Sequence, residues 1–168
     1  MNRSELIKRK ILEAFADVPR PDLTGIRELG CCEEHDEYFD WYRRHTRQEL
    51  EKELSHDYLD RFEFFALHPV AYHYFVPGLL LGTLESIVTE TDSDYSDTWA
   101  WVRNLLGNGA TAGRFREEYL PLFNAPQRDA VAGFLEFFNE WDMEREGYSS
   151  QDNKAVERSL SEVWRAES

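Results

Sequence analysis

The densest group of side chains able to do chemistry in this chain of 168 residues is Cys31-Cys32-Glu33-Glu34-His35-Asp36. Cys32 and His35 stand three apart, which puts them on one face of a helix. A thiol near a helix N-terminus has a lowered pKa. A thiolate and an imidazole are zinc ligands, but a closed structural site takes four, and His45, His56, His68 and His73 are not at a metal-finger spacing. Cys32 and His35 are therefore the candidate metal or reactive-thiol pair. The plainer alternative is a helix start with a buried cysteine. No cofactor is expected, with zinc at this pair as the alternative.

Other patterns fail on their own terms. Glu53-x-x-His56 has the spacing of carboxylate-bridged di-iron bundles, which need two such motifs and two further glutamates; only one is present, and it straddles a helix break expected at Ser55. Asp92-Ser-Asp94-Tyr-Ser96 opens like a calcium loop, but Asp97 and Arg103 stand where Gly and Glu are required. The chain has no G-x-S-x-G, H-E-x-x-H or Walker A pattern. Gly78 and Gly82, four apart, indicate close helix packing rather than a membrane dimer motif. With carboxylates in such number, pairs of them say nothing about acid–base catalysis.

The charge is more informative. Thirty-three acids face nineteen bases, a net charge of −14. That field repels nucleic acid and anionic lipid, which need Lys and Arg at the contact. It would attract a basic partner and speed the encounter, and it also keeps the protein soluble. From Phe62 to Val102 there is no Lys or Arg, while Glu63, Glu85, Glu90, Asp92, Asp94 and Asp97 lie there. A second acidic block runs from Glu28 to Asp60. The first ten residues are instead basic, with Arg3, Lys8, Arg9 and Lys10 against Glu5. The candidate partner-binding residues are Glu85, Glu90, Asp92, Asp94, Asp97 and Trp99. Trp99 and Trp101 point about 200° apart on a helix; Trp101 fits the core stripe, and Trp99 is divided between core and rim.

These residues must be positioned by helices, because the periodicity is helical nearly throughout. Ser4 is expected to cap a first helix with Ile7, Ile11, Leu12 and Phe15 on one stripe, ended by Pro19 and Pro21. A polar connection with Gly25 and Gly30 follows. A second helix is expected from near Cys32 to about His45, with Tyr38, Trp41 and Tyr42 on one face. Thr46 and Glu49 read as a capping box, and Ser55 as a further cap. Pro69 and Pro77 each read as a helix start, since Pro is best tolerated at the first helical position. The Pro77 helix, with Leu79, Leu80, Leu81, Leu84, Ile87 and Val88, is expected to be central and buried. Ser96 or Asp97 caps a helix stopped by Gly107 and Gly109, a short helix covers Arg114 to Leu120, and Pro126 opens one with Val131, Phe134, Leu135, Phe138 and Trp141 on its stripe. After a turn at Gly147 to Ser150, Val156, Leu160, Val163 and Trp164 form a last amphipathic helix.

The expected fold is all-α: a compact multi-helix domain of about seven or eight helices, several of them short. The length suits one domain over residues 1–168, with residues 1–146 as main body and 147–168 as turn and last helix. Hydrophobic residues at 42% and aromatics at 14% supply a core. Adjacent Cys31 and Cys32 cannot close a useful loop, which suits a reducing compartment. The start lacks a secretory pattern, and the run Tyr74 to Leu84 is too short to span a bilayer. The expected location is the cytoplasm.

Three stretches together carry a resemblance: Ile11-Leu-Glu-Ala-Phe15-Ala-Asp-Val-Pro19, His68-Pro-Val-Ala-Tyr72-His-Tyr74-Phe75-Val-Pro77, and Pro126-Gln-Arg-Asp-Ala130-Val-Ala-Gly-Phe134-Leu135. They resemble a bacterial family known as a domain of unknown function, and the Cys32-x-x-His35 stretch is similar to part of its pattern. The resemblance spans about Ile11 to Phe138 and rests mostly on apolar and Pro positions; the tail beyond Gly147 departs from it. It implies a small helical bacterial protein and no activity. Charge and the missing catalytic signatures lead to a non-enzymatic binding protein for a basic protein partner, of which an immunity protein neutralising a toxin is one form. The alternatives are a metal- or thiol-dependent enzyme or sensor using Cys32 and His35, and a structural homodimer built through an aromatic face.

Overall fold

The three- and four-residue apolar spacings become helices in the computed structural model, which describes residues 2–23, 36–53, 67–89, 98, 99, 102, 103, 105–107, 112–144 and 150–166. No strand occurs among the described residues, and the protein is all-α with several short helices. The chain forms two units, one of Met1–Phe15 with Leu105–Ser168 and one of Ala16–Asn104.

In the first unit, α1 (Arg3–Ala14) buries Ser4, Ile7 and Ile11, and Phe15 closes it at 1% exposure. Its cap is Asn2 rather than Ser4: the Asn2 side chain accepts the Ser4 N–H at 3.1 Å from an extended backbone, while Ser4 itself lies inside the first turn. Leu12 is 53% exposed. At about 100° per residue it stands a full step off the line from Ser4 through Ile7 to Ile11. A short α5 (Ala112–Arg114) runs on as a π-helical turn, Phe115–Tyr119, and a 3-10 turn, Leu120–Leu122. Then α6 (Ala125–Met143) opens on a capping box, with Asn124 Oδ1 accepting the Gln127 N–H at 3.0 Å and Gln127 Oε1 accepting the Asn124 N–H at 3.1 Å. Its stripe of Val131, Phe134, Leu135 and Phe138 is fully buried. Arg3 pairs with Glu140, and Lys10 with Asp129, so α1 and α6 run antiparallel. Last comes α7 (Ser150–Ser159), continued by a second π-helical turn, Leu160–Trp164.

The second unit contains α2 (Asp36–Arg44), α3 (Arg47–Glu53) and α4 (Pro69–Thr89). The box expected at Thr46 is formed: Glu49 accepts the Thr46 N–H at 2.6 Å, and Thr46 Oγ1 accepts the Glu49 N–H at 3.3 Å. The two helix starts expected at Pro69 and Pro77 are one helix, with Pro77 inside it. Pro77 has no N–H for the His73 carbonyl, and an interior Pro costs about 3 kcal/mol. Every residue from Tyr74 to Leu84 is buried. Burying one large apolar side chain contributes roughly 1.5–3 kcal/mol, so the several on this helix outweigh the break. Gly78 shows what lies against it: a Cβ there would stand 2.3 Å from the Arg47 carbonyl oxygen, so α3 begins in direct backbone contact with α4. The Arg47 guanidinium covers the Tyr74 ring at 5.6 Å, and Tyr42 meets Phe75 edge-on at 4.8 Å.

Candidate functional site

The sequence candidates do not converge on a site among the described residues. Cys32, His35, Glu90, Asp92, Asp94 and Asp97 lie outside them, as do His56, the cap expected at Ser55 and Trp101. Glu85 is exposed on α4. Trp99 is helical and only 3% exposed, which moves it from a docking rim to the interior. No group of three or more His, Cys, Asp or Glu side chains that could hold a metal occurs among the described residues. The exposed large apolar side chains there are Leu12, Val70, Val88, Leu122 and Met143, none of them aromatic.

The first unit forms a cleft that sequence reasoning missed. It has a volume of about 350 Å³ and is lined by Phe123, Ala125, Arg128, Asp129, Trp164, Arg165 and Ala166. Two almost wholly buried aromatic rings back it. Phe123 and Trp164, 2% and 3% exposed, meet edge-on at 5.2 Å. Phe15 abuts Phe123, and Phe115 abuts Trp164, both edge-on. The second π-helical turn ends at Trp164, and Arg165 donates its N–H to the Leu160 carbonyl at 3.0 Å. The Trp164 indole N–H donates to the Leu105 carbonyl at 2.8 Å, and Ser159 Oγ donates to the Leu106 carbonyl at 2.6 Å. Two side chains of the last helix thus hold Leu105 and Leu106, just before Gly107 turns the chain at φ +58°. On the cleft wall, Arg128 donates from Nε to the Phe123 carbonyl at 3.0 Å and from Nη2 to the Leu120 carbonyl at 3.3 Å. Arg165 pairs with Glu136 at 2.5 Å. The one legible signal was the Asn124-x-x-Gln127 box, which fixes where α6 begins and hence where Arg128 stands.

The electrostatics are those of an acid-rich surface on which many cations pair with exposed carboxylates. Arg3 grips Glu140 through both terminal guanidinium nitrogens, Nη1 and Nη2. The side-chain hydrogen bonds raise the Arg3 pKa and lower that of Glu140. Lys10 meets Asp129 at 3.2 Å, Arg116 meets Glu162 at 3.3 Å, and Arg114 meets Glu118 at 3.0 Å. Arg43 and Arg44 both reach Asp40. Glu49 is held below the usual carboxylate range by the Thr46 backbone N–H and hydroxyl, while burial pushes the Tyr119 phenol up.

What the fold defines is an all-helical protein with no helix, among the described residues, long and apolar enough to cross a membrane. The family model described as a family of unknown function, DUF6714, matches residues 2–168. The chain belongs to that family. The match extends through the tail beyond Gly147, which the sequence resemblance had left out, and this agrees with Trp164 and Ser159 anchoring the chain at Leu105 and Leu106. No curated protein and no solved structure matches the chain.

Proposed function

We propose that this protein is a non-enzymatic binding protein that offers an acidic surface to a basic protein partner, in the manner of an immunity protein neutralising a toxin. The observation that carries this reading is where the cations go. Of the amino-terminal cluster, which alone in the sequence had the look of a basic patch, two members are spent on α6: Arg3 on Glu140 and Lys10 on Asp129. Arg9 reaches Glu13 at 3.7 Å. Arg116, Arg114 and Arg165 are likewise matched to carboxylates. Each such pair consumes one acid and one base, so it leaves untouched the surplus of 33 acids over 19 bases. That surplus is the feature a basic partner would recognise, and it would act most strongly on the rate of encounter. Glu85 on α4 is the described member of the acidic set that is exposed; Trp99, being buried, is not part of the proposed surface.

The experiment is affinity capture from the native host with the full chain as bait, followed by a salt series on whatever protein is retained. A basic protein whose association rate falls steeply as ionic strength rises supports the reading, because screening shortens the Debye length from about 10 Å at 0.1 M to about 3 Å at 1 M. Retention of no protein, or of one whose binding ignores salt, overturns it.

A further inference from the structure

We draw no further inference here: the strongest candidate, the cationic side-chain cluster at the carboxy-terminal end of α2, where Arg20, Arg43 and Arg44 gather beside the stacked rings of Trp41 and His45, carries nothing, because Arg43 and Arg44 are already engaged by Asp40 and Arg20 by the Arg43 carbonyl, and nothing in the structure shows what covers it.

Discussion

The substitution Gly→Ala should have opposite effects at two helix-interior positions of this protein. At Gly78 in α4 the new methyl would stand 2.3 Å from the Arg47 carbonyl oxygen and 3.2 Å from its carbonyl carbon. Ordinary contact begins at 3.4 Å, so α3 and α4 must part by about 1 Å. The obstacle is backbone at the start of a capped helix, not the end of a flexible side chain, so it cannot swing aside. Ala gains about 1 kcal/mol over Gly from helix propensity. Overpacking costs about 1–3 kcal/mol, and a backbone obstacle belongs at the upper end, so the net effect is a loss of about 2 kcal/mol. At Gly133 in α6 an added Cβ meets nothing within 4 Å. There only propensity acts, and Gly133→Ala should stabilise by about 0.5–1 kcal/mol. Urea unfolding followed by circular dichroism should place the two midpoints on opposite sides of the parent protein, separated by about 1 M or more. Midpoints displaced in the same direction, or a Gly78→Ala protein as stable as the parent, would refute the claim that α3 lies against α4 through its main chain.

Two further outcomes follow from the same geometry. Trp164→Phe removes the donor to the Leu105 carbonyl and leaves that buried acceptor unmatched, so a loss of about 2–4 kcal/mol is expected in chemical denaturation; a loss below about 1 kcal/mol would mean the indole bond is not an anchor. Glu49 has its folded pKa below its unfolded value, so its contribution is present above the unfolded value and lost as pH falls through the folded one. The melting temperature of Glu49→Gln should therefore lie below that of the parent at neutral pH and converge with it in acid; a gap that persists below the carboxylate range would contradict the capping role.

The fold class was legible because period and capping chemistry are local. The Thr46–Glu49 box, the stripe of α6 and the last amphipathic helix follow from spacings within one or two turns. What was not legible depends on neighbours. Pro77 reads as a helix start by its own stereochemistry, and only the burial of everything from Tyr74 to Leu84 shows why the helix runs through it. Leu12 looked like core because it is apolar; its angle on α1 leaves it outside. Ser4 and Asn2 are both good caps, and two residues of register decide between them. Trp99 could not be assigned to rim or interior without knowing the width of its helix's buried face. The cleft was invisible because its parts, Phe123, Arg128 and Trp164, are joined only by folding, and π-helical turns leave no simple periodic mark.

The first unit joins the opening fifteen residues to a segment that begins at Leu105. On a ribosome, which delivers roughly 5–20 residues per second, α1 emerges long before α6 exists. Through that interval Ile7 and Ile11 have no α6 to cover them, and the ion pairs of Arg3 and Lys10 cannot form. The intervening stretch, with α3 already able to find α4, can order itself first. The nascent chain therefore passes through a state in which the greasy, cationic face of α1 is uncovered, and this is the stage at which a chaperone would find the most to hold.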